Sequence, residues 1–250
     1  RAGGRAAEDG DLAAVPRQGR IRELTMLDFD WNSIAQSRSV LLTGMWVTLR
    51  ITAVAIACGF AFGTVLAAAS LVPSRMVRAF VKGYVSLFRS IPLIMLLLWF
   101  FLIVPQLLRA VFDLSPSVDV RLVSAMVAFA LLESAFFCEI MRAGIDSLPR
   151  GQFQAARALG LSTLQSLRYV VLPQALRAML PVILTQCIVI FQDTSLVYVI
   201  ALGDFFRSAT SIGERDGTLI QMLLFAGVVY WVICSTLSFA VDRLRPRSGH

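Results

Sequence analysis

The chain has 250 residues, of which 57% are hydrophobic and 16% are charged, and its formal net charge is +7. An ordinary soluble domain has about 45–50% apolar and about 25% charged residues, so this chain has too few charges to cover a soluble surface. The composition therefore excludes a soluble domain and predicts an all-α, polytopic membrane protein.

Residue counts exclude several classes of chemistry. The single histidine, His250, leaves no Ser-His-Asp or Cys-His arrangement and no histidine metal cluster. The single lysine, Lys82, follows Val81 rather than a glycine, so the chain lacks the phosphate-binding loop of an ATPase. The four cysteines lie in apolar stretches without CxxC spacing and are interpreted as buried thiols. We expect no catalysis, no metal and no cofactor in this chain.

Residues 1–25 lack a periodic apolar face, and the first methionine is Met26. We expect residues 1–25 to be a disordered or non-native extension, and residues 26–250 to form the transmembrane domain. The mildly amphipathic stretch 28–45 predicts a short helix on the outer surface of the membrane.

Five nearly charge-free runs approach the length of about 20 residues that a helix needs to cross a bilayer. Glu133 lies in the third run and Asp193 in the fourth, while Gly59 and Gly63 in the first form a small-xxx-small pair that permits close helix approach. The predicted spans are residues 51–74, 90–108, 122–138, 178–202 and 219–241.

Basic residues predict the orientation of the chain. They are concentrated after the first, third and fifth predicted spans, whereas the opposite loops mix basic and acidic residues. Cytoplasmic loops are enriched in Lys and Arg, so the N-terminus is expected outside and the C-terminus in the cytoplasm. This topology in the lipid bilayer accounts for the net charge without a nucleic-acid partner.

The cytoplasmic segment of about 40 residues between the third and fourth predicted spans has its own pattern. Residues 151–160 combine helix formers with a final glycine, Gly160, which suits a helix end that needs positive φ. Residues 162–171 have helical spacing and are predicted to stop at Leu172 and Pro173, because the residue before proline disfavours helix. The segment predicts a helix, a turn and a second helix that docks in a partner's groove.

The same segment resembles the loop signature of inner-membrane permease subunits of ABC importers, which reads Glu-Ala-Ala, three residues, Gly, nine residues, Ile, one residue, Leu-Pro. The matching residues are Gln154, Ala155, Ala156, Gly160, Val170, Leu172 and Pro173. This chain has Gln154 in place of the usual Glu and Val170 in place of Ile. The resemblance implies that a coupling helix within residues 151–165 contacts an ATPase through Gln154, Ala155, Ala156, Gly160 and Leu161.

Further runs resemble the polar amino-acid branch of this family, and within it the permeases of glutamate/aspartate importers. They are residues 88–93, 139–145, 151–152, 184–186, 191–199 and 212–218. The resemblance implies an ATP-driven bacterial importer in the inner membrane, with glutamate and aspartate as expected substrates and glutamine, histidine or arginine as alternatives. It also implies three partners: an ATP-binding subunit dimer, a second homologous permease subunit and a periplasmic substrate-binding protein.

Polar residues inside the predicted spans are candidates for a substrate path, because a charge at mid-bilayer costs about 2.5–3.5 kcal/mol and is usually retained for a purpose. The candidates inside the spans are Gln186, Gln192, Thr194 and Ser195 as hydrogen-bond partners and Glu133 as a lining residue. At the outer entrances of the third and first spans, Arg121 or Arg50 is the candidate partner for a substrate carboxylate. The alternative is that Glu133 and Asp193 pair with arginines or backbone N–H groups and only hold the bundle together.

Three rival functions remain open at this stage. A secondary transporter would need more spans or inverted repeats, and the sequence has no convincing internal repeat. An intramembrane hydrolase would need a nucleophile with a base, or a carboxylate pair such as Glu133 with Asp193. A membrane scaffold would show no ATP turnover that depends on a substrate.

Overall fold

The computed structural model describes residues 31–112 and 119–244, so the predicted extension over residues 1–25 lies outside it. Within the described ranges the chain is helical and forms no strand. In chain order the α-helices are α1 Trp31–Gln36, α2 Arg38–Ser70, α3 Arg75–Ser90, α4 Leu93–Phe112, α5 Arg121–Asp146, α6 Arg150–Ala158, α7 Thr163–Ser166, α8 Leu172–Asp193, α9 Phe205–Asp216 and α10 Leu219–Leu244.

Five helical segments are long and apolar enough to cross a membrane, which confirms the predicted all-α class and five spans. From first to fifth, these spans are Arg38–Ser70, Leu93–Val111, Arg121–Asp146, Thr163–Ile200 and Leu219–Arg243. Between them lie the shorter helices α3, α6 and α9.

The first span begins earlier than its charge-free run. The predicted start at residue 51 and the separate outer helix over 28–45 were wrong, because α2 is continuous from Arg38 to Ser70. Arg50 interrupts the apolar run without breaking the helix, since arginine is a good helix former, and its guanidinium lies over the Trp46 ring. In the described part of the chain, the short helix α1, Trp31–Gln36, precedes it.

The third span is the most buried helix of the bundle and packs closely against the first span. A Cβ added to Gly63 would lie 2.6 Å from the carbonyl oxygen of Ser134 and 2.8 Å from the Phe137 Cβ. A Cβ at Gly59 would lie 2.8 Å from the Glu133 Cβ. The predicted small-xxx-small contact is therefore confirmed, with the third span as its partner.

The fourth span continues through the predicted turn at Leu172 and Pro173, so that prediction was wrong. Leu172 is helical, with φ −59° and ψ −45°. A π-helical segment, Leu167–Val171, immediately precedes the Leu172-Pro173 pair. The wider π turn accommodates the proline ring, which would otherwise clash with the carbonyl four residues earlier. The span ends in a 3₁₀ segment, Thr194–Ile200.

Helix α9 closes the end of the bundle opposite to α6. The Asp204 carboxylate caps α9 by accepting hydrogen bonds from the backbone N–H groups of Phe206 at 3.1 Å and Arg207 at 2.9 Å. The Phe205 N–H donates to the Thr48 hydroxyl oxygen at 3.1 Å. These bonds attach the start of α9 to the first span.

Gly63→Val should disrupt the contact between the first and third spans, because the new side chain meets backbone atoms that have no room to move. We expect the free energy of unfolding to fall by about 3 kcal/mol, measured by thermal unfolding in detergent. The matched control is Gly227→Val on the fifth span, where an added Cβ has no neighbour within 4 Å. Equal unfolding temperatures for wild type and Gly63→Val would contradict this account.

Candidate coupling helix and substrate path

Helix α6, between the third and fourth spans, ends in a Schellman motif. Gly160 has φ +82°, as the sequence predicted for a helix-terminating glycine. The Leu161 N–H donates to the Ala156 carbonyl at 3.2 Å, and the Gly160 N–H donates to the Arg157 carbonyl at 2.9 Å. These bonds satisfy the last carbonyls of α6 and define the direction in which the chain leaves it.

The next helix starts with a capping box. The Ser162 hydroxyl accepts from the Gln165 N–H at 3.3 Å, and the Gln165 side chain accepts from the Ser162 N–H at 2.8 Å. The turn between α6 and α7 is therefore capped on both sides. Helix α7 continues into the fourth span, so this turn joins α6 directly to that span.

A side-chain hydrogen bond also joins α6 to the fourth span. Gln174 Nε2 donates to Gln152 Oε1 at 3.2 Å and to the Val170 carbonyl at 2.9 Å. Behind the helix lies an apolar cavity of about 750 Å³, lined on the loop side by Phe153 and Leu164. Helix α6 is thus joined to the fourth span by the Gln174–Gln152 bond, and the cavity separates part of α6 from the bundle.

The predicted coupling residues differ in exposure. Gln154, Ala155 and Gly160 are exposed, Leu161 is half-buried, and Ala156 is 3% exposed and faces the protein. The motif did not identify two further side chains near the turn, Leu159 at 82% and Leu164 at 73% exposure. Their signal in the sequence is only that apolar residues flank the turn. Such exposed leucines are suited to contact with a partner protein.

Glu133 and Gln186 are the only substrate-path candidates that the described residues bring into hydrogen-bond contact with each other. Gln186 Nε2 donates to Glu133 Oε2 at 2.9 Å, and Glu133 is 1% exposed. Beside it, the Ser134 hydroxyl lies 2.7 Å from the Tyr84 hydroxyl. The third span is therefore joined by polar contacts to the fourth span at Glu133 and to α3 at Ser134.

The other fourth-span candidates lie in different environments. Gln192 is exposed and lines a groove of about 600 Å³ with Ser238 and Asp242 of the fifth span. Thr194 is fully buried, and its hydroxyl donates to the carbonyl of Phe191 in its own helix at 2.6 Å. Ser195 is half-buried. Among the described residues, none of these three is hydrogen-bonded to Glu133 or Gln186.

Arg121 at the start of the third span is held by two acceptors. Its Nη2 donates to the Asp119 carboxylate at 2.6 Å, and its Nη1 donates to the Ala201 carbonyl at 2.8 Å. Hydrogen bonding to the guanidinium lowers the pKa of Asp119 to about 2, so this acid is ionised at neutral pH. Arg121 thereby links the start of the third span to the end of the fourth.

The described residues contain no group of three His, Cys, Asp or Glu side chains that could hold a metal ion. Glu133 accepts from Gln186, and no hydrogen bond within the described ranges joins it to Asp193.

Comparison with known proteins identifies the family. Residues 59–250 match the family of binding-protein-dependent transport system inner membrane components. The chain belongs to this family. It is a permease subunit of the ABC-importer type, as its resemblance to the loop signature of these subunits predicted.

Two relatives place the permease in the amino-acid branch. It is 55% identical over 224 residues to the glutamate/aspartate import permease protein GltK of Escherichia coli O6:H1, covering 90% of this chain and 100% of the relative. It is 31% identical to the arginine transport system permease protein ArtQ of Bacillus subtilis, covering 87% of this chain and 97% of the relative. The polar amino-acid branch inferred from the sequence is confirmed.

A solved structure shares the fold of the permease. The crystal structure of an amino acid ABC transporter with histidines matches with a TM-score of 0.71 and 26% identity. The match covers 85% of this chain and 96% of that chain. The five-span architecture is therefore that of an ABC importer subunit.

Glu133→Gln should preserve the stability and transport activity of the permease, because its amide oxygen can still accept the bond from Gln186. Glu133→Ala should lower the free energy of unfolding by about 2–4 kcal/mol, since it leaves Gln186 unpaired and opens a cavity beside Gly59. Thermal unfolding and uptake by the reconstituted assembly check both variants, and Glu214→Ala, at an exposed position near the end of α9, is the control. A Gln variant that is stable but inactive would show that Glu133 acts in transport itself.

Proposed function

We propose that this permease imports glutamate and aspartate across the bacterial inner membrane, driven by ATP hydrolysis on a separate subunit. The 55% identity to a glutamate/aspartate import permease over 90% of the chain supports this substrate class. The observation that carries the coupling mechanism is the doubly capped turn that joins exposed α6 to the fourth span.

An ATP-binding subunit is the proposed partner of α6. Gln154 and Ala155 are exposed, and Leu159 and Leu164 supply apolar surface that a groove in the partner would cover. Gln154 is neutral, so the contact does not depend on a carboxylate at this position. Two ATP-binding subunits that close on ATP would move two such helices together, one from each permease subunit.

The capped turn supports a route for this motion. A displacement of α6 moves the start of the fourth span, whose Gln186 holds Glu133 of the third span at 2.9 Å. The third span is in turn packed on the first at Gly63. We propose that these spans move largely as one body between inward- and outward-open states.

The substrate path is proposed along the accessible side of the fourth span. Glu133, Gln186 and Arg121 have partners on other elements of the subunit and are suited to hold helices in place. The Thr194 hydroxyl is bonded within its own helix. Gln192 is exposed and Ser195 is half-buried, so we propose that these two residues line the substrate path. A second, homologous permease subunit would complete the path, and a periplasmic binding protein would deliver the amino acid.

The proposed orientation places the N-terminus outside and the C-terminus in the cytoplasm. It is supported by the cations of α3 and by Arg142 and Arg157, which all lie toward the end of the bundle that carries α6. Helix α9, with both acidic and basic residues, lies at the opposite end.

Gly160→Val tests the coupling role of α6. A β-branched residue is strained at φ +82°, so the Schellman turn should be lost and α6 should change direction. We expect glutamate uptake and substrate-stimulated ATP hydrolysis by the assembled importer to fall about tenfold or more.

The matched control is Gly83→Val on α3, where the backbone is helical and an added Cβ meets nothing within 4 Å. Both variants should reach the membrane and unfold near the wild-type temperature. Normal uptake in Gly160→Val would reject the coupling proposal.

Competition between amino acids tests the substrate class. Proteoliposomes with the complete assembly should take up labelled glutamate, and unlabelled aspartate should suppress this uptake. A roughly tenfold excess of glutamine, histidine or arginine should leave glutamate uptake nearly unchanged, since these three side chains lack the negative charge of glutamate and aspartate. Equal competition by arginine would assign the permease to another polar amino acid.

A further inference from the structure

Helix α3 follows the first span and has two contrasting faces. Its four cations are accompanied by no acid, and at about 100° per residue they fall within about 60° of one another on the helix. They are Arg75, Arg78, Lys82 and Arg89. Three exposed apolar residues lie within about 40° on the nearly opposite side, namely Met76 at 83%, Phe80 at 66% and Leu87 at 57% exposure. This is the pattern of a helix that lies in a membrane interface.

The basic face of α3 forms a cleft of about 310 Å³ against the third span. Its polar lining consists of Lys82, Ser86, Arg89 and Ser90 of α3 with Glu139 and Arg142 of the third span. The cleft therefore holds three cations and two hydroxyl groups around one carboxylate, and it carries a net positive charge.

The single carboxylate in the cleft is shared by two of the three cations. Arg89 Nη1 lies 3.7 Å and Arg142 Nη2 3.3 Å from Glu139 Oε2. Lys82 forms no ion pair with any described residue. The cleft thus has a preformed arginine pair and an ammonium group that is available to an anion.

The depth of the cleft matches the headgroup layer of a bilayer. With a rise of about 1.5 Å per residue, Arg142 and Glu139 lie about 6 and 10 Å before the end of the third span at Asp146. A helix of 26 residues spans about 39 Å, close to the full thickness of a bilayer with its headgroups. The cleft therefore opens near the boundary between headgroups and hydrocarbon.

We propose that this cleft binds the phosphate group of an anionic phospholipid such as phosphatidylglycerol. Lys82 and the arginine pair attract the phosphate, and Ser86 and Ser90 donate hydrogen bonds to its oxygens. The cleft opens at headgroup depth, where the phosphate of a membrane lipid is held beside it. Basic pockets between helices at a membrane surface bind acidic headgroups in this way. The site is independent of the transported substrate.

The test measures the phosphatidylglycerol that remains bound to the full chain in native mass spectrometry. The chain is extracted from vesicles of about three parts phosphatidylethanolamine to one part phosphatidylglycerol. Lys82→Gln/Arg142→Gln should reduce the retained lipid about tenfold or more, and Lys82→Gln alone about fivefold. The matched control is Arg75→Gln/Arg78→Gln, which removes two charges from α3 outside the cleft and should change retention less than about twofold.

Unchanged phosphatidylglycerol retention in Lys82→Gln would overturn the proposal. An equal loss of lipid in the cleft and control variants would also overturn it, because the lipid would then be attracted by the overall positive charge of α3 and not by the cleft. The single variant breaks no ion pair among the described residues, so it keeps the test valid if the double variant fails to fold. A parallel titration with sodium phosphate distinguishes the two sources of the phosphate group. Displacement of the lipid by millimolar inorganic phosphate would overturn the headgroup assignment.

Discussion

The close contact of the first and third spans is the constraint on which the rest of the bundle depends. At Gly63 the two backbones approach so closely that a single added carbon would lie 2.6 Å from a carbonyl oxygen. Lipid tails are as apolar as leucine side chains, so spans associate through close packing and polar contacts rather than through hydrophobic burial. The third span, held in this way, presents Glu133 to the fourth span and Ser134 to α3.

Polar groups inside the bundle act mainly between helices. A carboxylate in the membrane needs a partner, and Glu133 obtains it from an amide on the next span. At the start of the third span, Arg121 donates hydrogen bonds to the Asp119 carboxylate and to the Ala201 carbonyl, and so joins this span to the end of the fourth. Such contacts are the basis for the proposal that the first, third and fourth spans move together. The doubly capped turn at Gly160 joins these spans to α6, on the side where an ATPase is proposed to bind.

Helix α3 relates the bundle to the membrane surface. Its apolar and basic faces are nearly opposite, and its basic face meets Glu139 and Arg142 at headgroup depth. The cations of α3 support the proposed orientation of the chain in the membrane. Two of them, Lys82 and Arg89, also line the cleft. An acidic headgroup in that cleft would stabilise the position of α3, and through Tyr84 and Ser134 the third span as well.

The sequence by itself determined the helical class, the five spans and the glycine turn after α6, because apolar length and positive φ are properties of a local segment. It placed the start of the first span too late, since Arg50 ends a charge-free run without ending a helix. It placed a turn at Pro173, since the π segment that accommodates the proline depends on helix geometry beyond the Leu-Pro pair. Only the tertiary structure decided the partners of Glu133, Gln186, Gln192 and Arg121. Spans that are apolar on all sides carry little periodic signal, so which face meets which neighbour depends on packing.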